Sequence, residues 1–167
     1  MNTIKNTIHT EAIFSDDEQH RYLLKKTWDE KKPACTVITM YPHLDGVLSL
    51  DLTTVLILNQ LANSEQYGAV YLVNLFSNIK TPENLKHIKE PYDKHTDIHL
   101  MKAISESDTV ILAYGAYAKR PIVVKRVEQV IEMLKPHKKK VKKLINPATD
   151  DIMHPLNPKA RQKWTLK

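Results

Sequence analysis

The sequence contains a single cysteine, Cys35, among its 167 residues. One thiol cannot build a disulfide framework, a four-cysteine iron–sulfur cluster or a cysteine-type structural zinc site within one chain. Such usage predicts a reducing, cytoplasmic setting. Long apolar runs are missing too, and none approaches the ~18 residues needed to cross a bilayer, so no membrane partner is expected. The first residues, MNTIKNTIHTEAIF, lack a basic stretch followed by an apolar core, and no secretory signal is expected. Only three glycines occur, and neither a GxGxxG nor a Walker A loop is present. That argues against the familiar dinucleotide and nucleoside-triphosphate folds. Repeats, low-complexity tracts and linkers are absent, so residues 1–167 read as one domain. Residues 1–30 form an N-terminal extension of it and 159–167 a basic tail.

What is present is ordinary globular usage, 42% hydrophobic and 26% charged. A chain of this length buries a core without staples. Its charge is divided unevenly. From Lys119 onward there are 14 Lys/Arg against 4 Asp/Glu, a net of +10, while residues 1–118 carry −4. The densest run is Lys138-Lys139-Lys140-Val141-Lys142-Lys143. So lopsided a field suits a polyanionic partner. A solvated helix-to-strand connection is the plain alternative for the run itself.

Three short, β-branched segments read as buried strands: residues 35–40 (CTVITM), 69–75 (AVYLVNL) and 109–113 (TVILA). Their near-continuous apolarity implies a parallel sheet covered on both faces. Residues 141–145 (VKKLI) form a weaker, more exposed fourth strand. Helical stripes separate them. Leu52, Val55, Leu56 and Ala62 form one, with Asp51 as a cap; Leu100, Met101 and Ile104 form a second. Val123, Val127, Val130, Ile131 and Leu134 form a third, between Pro121 and Pro136. Residues 11–14 and 21–28 flank a polar turn and read as an N-terminal β-hairpin, a candidate edge of the same sheet. The expected fold is a three-layer α/β/α sandwich around a short, mostly parallel four-stranded sheet.

Each strand runs into a loop rich in polar and conformationally restricted residues. Tyr41-Pro42-His43-Leu44-Asp45-Gly46 follows the first strand, and Asn74 with Phe76-Ser77-Asn78 ends the second. Tyr114-Gly115-Ala116-Tyr117 follows the third, and His154-Pro155-Leu156-Asn157-Pro158 comes after the fourth. In a parallel sheet all of these emerge at the carboxyl edge, where α/β proteins bind ligands. Turns favour the same residues, but four such loops on one edge point to a site. His95 and His99 have zinc-like spacing without a third ligand nearby, and read as a surface pair. Cys35 starts a buried strand without an activating neighbour. Trp28 and Trp164 read as packing residues. No metal and no cofactor is expected.

Several ordered segments carry a resemblance. They are Arg21-Tyr22-Leu23-Leu24 with Trp28, the loop after the first strand, Asp51-Leu52-Thr53, Val73-Asn74-Leu75-Phe76, Ala113-Tyr114-Gly115 and His154-Pro155-Leu156. Together they resemble a bacterial and phage family known as a domain of unknown function, number 1643. Their order also resembles, remotely, the uracil-DNA glycosylase superfamily. There Thr39-Met40-Tyr41-Pro42 stands for the first motif, with Asn74, Gly115 and His154-Pro155 at the others.

That resemblance implies a DNA partner, single- or double-stranded, and a base flipped out of the stack. Asn74 would read the Watson–Crick edge of uracil. His154 would bond the base oxygen where charge develops, and Leu156 would wedge into the vacated gap. Lys159, Arg161 and Lys163 would hold phosphates. Pro42, Phe76 and Asn157 lie in the same loops as further candidate contacts. In the superfamily the first motif places a carboxylate, or an Asn, just before the Pro; here Tyr41 stands there. A tyrosine is a poor general base near neutral pH. Asp45, His43 or Asp51 would then position water, Asp45 by proximity and Asp51 with a helix cap as its alternative role. The expected function is a DNA-repair N-glycosylase excising uracil or another altered base, from a monomer. An inactive nucleic-acid-binding protein with the same pocket is the second reading, and a hydrolase of free nucleotides or nucleosides the third.

Overall fold

The computed structural model describes residues 1–43, 47–81 and 85–167. Six strands form one sheet: β1 (His9–Phe14), β2 (Arg21–Thr27), β3 (Ala34–Thr39), β4 (Ala69–Asn74), β5 (Thr109–Leu112) and β6 (Val141–Lys143). Their order across the sheet is β1-β2-β4-β3-β5-β6. The four strands β4-β3-β5-β6 are mutually parallel. The expected four-stranded sheet is therefore the parallel part of a larger one. The N-terminal hairpin completes it, because β2 pairs antiparallel with β4, Leu24 opposite Leu72 and Thr27 opposite Ala69. Burial explains the join: Arg21 to Leu24 are all buried, more than a free hairpin allows.

Among the described residues there are four helices: α1 (Leu52–Asn63), α2 (Lys94–Ser105), α3 (Pro121–Leu134) and α4 (Pro158–Gln162). On one face of the sheet, Ile38, Val73 and Val110 pack with Leu100 and Ile104 of α2 and with Val123 and Val130 of α3. On the other, Val37, Val70 and Ile111 pack with Ile57 and Leu61 of α1 and Ala160 of α4. Trp28 and Trp164 pack against this second cluster. The result is an α/β/α sandwich. No described helix is long and apolar enough to cross a membrane.

The buried face of α1 differs from its expected apolar stripe, while in α3 Val123, Val130 and Leu134 are buried as expected and the stripe departs at single positions. In α1 the buried residues are Thr53, Thr54, Ile57, Leu58 and Leu61, while Leu52 is 52% exposed. The segment is apolar nearly all round, so its periodicity is ambiguous, and its polar first turn faces a pocket. In α3 Ile131 is exposed and Arg126 is buried. The Arg126 guanidinium is accommodated by the Leu75 carbonyl (2.7 Å), by Asp97 (2.5 Å) and by the Tyr92 ring, 3.9 Å away. The fourth strand is shorter than expected, since Leu144 and Ile145 make isolated bridges to Leu166 and Ile152 instead.

Candidate active site at the carboxyl edge of the sheet

The chain leaves β3 for β4 on one side, and β5 pairs with β3 on the other. Connections diverge here, so a crevice opens beyond the carboxyl ends of β3 and β5. A pocket of about 350 Å³ occupies it. Its walls include Thr39 to Tyr41 after β3, Tyr114 to Tyr117 after β5, Asp51, Thr53 and Thr54 at the start of α1, and His154 with Leu156.

Arg21 enters this pocket through an irregularity in β2. Ile13 pairs with Leu23 and Phe14 with Arg21, leaving Tyr22 without an opposite residue. Such a bulge breaks the alternation of side chains. Tyr22 and Leu23 both turn to the α2 face, where Tyr22 donates to Asp93 (2.8 Å) and stacks on His99. Arg21 turns to the α1 face instead and lines the pocket. Its Nη1 donates to the His43 carbonyl (2.9 Å). Burial pushes its pKa down to about 10 against the opposing pull of Asp51, and it stays cationic at neutral pH.

Asp51 is the N-cap of α1. Its Oδ1 accepts from the Thr54 amide (3.0 Å) and its Oδ2 from the Thr54 hydroxyl (2.6 Å). Burial raises its carboxyl, but the two Thr54 bonds and the charges of His43 and Arg21 outweigh that and hold it below its usual value. The group is therefore an anion facing the pocket, and helix cap and pocket carboxylate are one residue.

His154 is placed by the chain returning on itself. Met153 donates to the Leu144 carbonyl (2.7 Å), which seats the next residue at the sheet edge. Gly115 then makes room: at φ +79°, a Cβ there would stand 2.9 Å from the Cβ of His154. The His154 Nδ1 accepts from the Leu156 amide (3.2 Å). In the neutral ring the proton therefore sits on Nε2. Burial, then the charge of His43, pushes its pKa down to about 4, so the ring is neutral at neutral pH. Tyr41 is half-buried; burial and the neighbouring Tyr117 raise its phenol, which stays protonated. Burial alone pushes Tyr114 to about 12.

Of the sequence-derived candidates, Tyr41, His43, Asp51, Gly115, His154 and Leu156 line one pocket. Asp45 lies outside the described residues. Asn74 does not line the pocket; it is 4% exposed and its Nδ2 donates to the Thr39 hydroxyl (2.7 Å). Phe76 is in the core on the opposite face, tilted against Tyr92. Pro42 is buried in its loop. Asn157 caps α4 by accepting from the Lys159 amide (3.0 Å). Sequence reasoning placed Tyr114 and Tyr117 in a loop of the expected site without giving them a role, and missed Arg21, Thr53 and Thr54 as pocket residues. A bulge has no sequence signature, so nothing marked Arg21 beyond a charge opening an apolar strand. Cys35 is fully buried, and burial pushes its thiol up. Among the described residues no group of three or more His, Cys, Asp or Glu is placed to hold a metal ion.

The family described as protein of unknown function (DUF1643) matches residues 21–156. The chain belongs to this family. No curated protein and no solved structure matches it. The DUF1643 segment begins at Arg21 and ends at Leu156, both pocket residues, and so contains every residue that lines the pocket. β1 and α4 fall outside it.

The basic residues divide between the two edges of the sheet. Lys138 to Lys140 precede β6 and lie at the amino edge, away from the pocket. Lys140 there caps α2 through the carbonyls of Ile104 and Ser107. At the carboxyl edge, Arg120 stands 4.0 Å over the ring of the pocket residue Tyr117. Lys159 reaches Asn146 (3.3 Å), and the Arg161 Nε braces the His154 loop through the Leu156 carbonyl (2.9 Å).

Proposed function

We propose that this pocket binds a flipped base and that the protein is a DNA N-glycosylase for uracil or another altered base. The observation that carries the reading is the pairing of an anionic Asp51 with a neutral His154 in one pocket. Both have lost their titratable proton at neutral pH, yet one then carries a negative charge and the other an uncharged N–H donor, so the pocket holds two different tools. Breaking a glycosidic bond leaves positive charge on the sugar and negative charge on the base. The Asp51 carboxylate suits the first, stabilising the sugar cation and orienting a water. The N–H at Nε2 of His154 suits the second, donating to the base oxygen as the C–N electron pair moves to the base. Water oxygen then bonds to the sugar carbon and its proton leaves to the base or solvent. The remote superfamily resemblance and the position at the sheet's switch point support the same reading. In this scheme Asp51 takes the part that Tyr41 cannot.

The test uses uracil-, hypoxanthine- and mismatch-containing oligonucleotides, single- and double-stranded, with alkali-labile abasic sites as readout. The wild-type protein is expected to form them. Asp51→Asn and His154→Ala should each slow the reaction about 100-fold or more. No abasic product from folded protein on any substrate overturns the proposal. The protonated Tyr41 at the first-motif position favours a second reading, DNA binding without chemistry. It predicts salt-dependent affinity and no abasic product.

A further inference from the structure

Asn74 and Thr39 face each other across the last pair of β4 and β3. Both are nearly fully buried, at 4% and 6% exposure, but only Thr39 lines the pocket. The Asn74 Nδ2 donates to the Thr39 Oγ1 at 2.7 Å. The Asn74 Oδ1 has no partner among the described residues. A hydroxyl has one proton to give and two lone pairs. One lone pair of Thr39 is taken by Asn74, and among the described residues no acceptor takes its proton.

We infer that Thr39 is a specificity-determining residue, donating its hydroxyl proton to a carbonyl oxygen of the bound base, and that Asn74 is the positioning residue that imposes this polarity. The inference rests on the proposed base pocket but not on bond cleavage. It moves the reading of the base from Asn74 itself to the residue Asn74 orients. Where a base carries an exocyclic amino group instead of the carbonyl, two donors meet and one buried proton loses its partner. The site thereby selects lactam bases over their amino counterparts.

The test is calorimetric binding of four free bases in two matched pairs, uracil with cytosine and hypoxanthine with adenine. Wild-type protein is expected to prefer the lactam member of each pair by about tenfold or more. Thr39→Val should erase the preference and Thr39→Ser should keep it. The ionised carboxylate of Asn74→Asp can only accept, so it draws the Thr39 proton to itself and should invert the preference, which a merely structural role would not do. Melting curves confirm that each variant is folded. Equal binding of both members by wild type, an undiminished preference in Thr39→Val, or an unchanged one in Asn74→Asp overturns the inference, as does failure of any base to bind. The glycosylase proposal fails separately, when bases bind with the expected preference but no abasic site forms.

Discussion

Gly115 and His154 meet closely at the end of β5, and Gly115 is not free to change. At φ +79° any side chain costs strain, and a Cβ 2.9 Å from that of His154 forces one segment away. Gly115→Ala is expected to cost about 1–3 kcal/mol in urea unfolding, and to displace His154 from the pocket. His154 itself ties stability to pH. Its pKa is about 4 in the folded chain against its usual 6.5. Between those values the unfolded chain binds the proton and the folded chain refuses it. Stability is therefore full above about pH 6.5 and declines as pH falls toward 4. His154→Gln removes that linkage. Urea unfolding at about pH 7 and about pH 4.5 should show the wild type losing more stability than the variant. An equal loss in both would place the titrating group elsewhere.

At the scale of elements, the strands were legible because both faces are covered, and apolar, β-branched runs have few other fates. The covering of β2 was not legible, since hairpin edges and interior strands differ only in what lies beyond them. The first turn of α1 also escaped periodicity, because Thr53 and Thr54 are buried by a pocket wall rather than by the core. Arg21 illustrates the limit. Strict alternation along β2 places it with Leu23 on the α2 face, and the bulge at Tyr22 moves it to the α1 face beside Asp51. The bulge therefore supplies the pocket's buried cation. Arg21→Met should leave the His43 carbonyl without this donor and remove one of the two charges that lower Asp51. The expected loss is about 1.5–3 kcal/mol. A double-mutant cycle with Asp51→Asn should be non-additive by about 0.5 kcal/mol or more. Strict additivity would show that the two charges do not act together.

Across the whole molecule, net charge read from sequence is not the same as charge at the site. The Lys138–Lys143 run dominates the composition, yet its densest part precedes β6 at the edge opposite the pocket. Lys140 serves there as a helix C-cap, the use that favours lysine at a carbonyl-rich end. Other cations share an edge with the pocket. Arg120 lies over Tyr117, and Lys159 opens α4 just beyond Leu156. If DNA lies across the pocket, its phosphates meet these residues and not the run. Each phosphate contact contributes about one unit to the slope of log affinity against log salt. Arg120→Gln with Lys159→Gln should therefore reduce that slope by about 1–2, measured by fluorescence anisotropy of a labelled oligonucleotide across a salt series. Lys138→Gln with Lys139→Gln removes the same charge from the amino edge and should leave the slope nearly unchanged. Both pairs alter net charge equally, so only position distinguishes them. A slope that falls equally in both would mean that the nucleic acid follows the overall field and not the carboxyl edge. A fall confined to the Lys138 and Lys139 pair would move the binding face to the opposite side of the sheet.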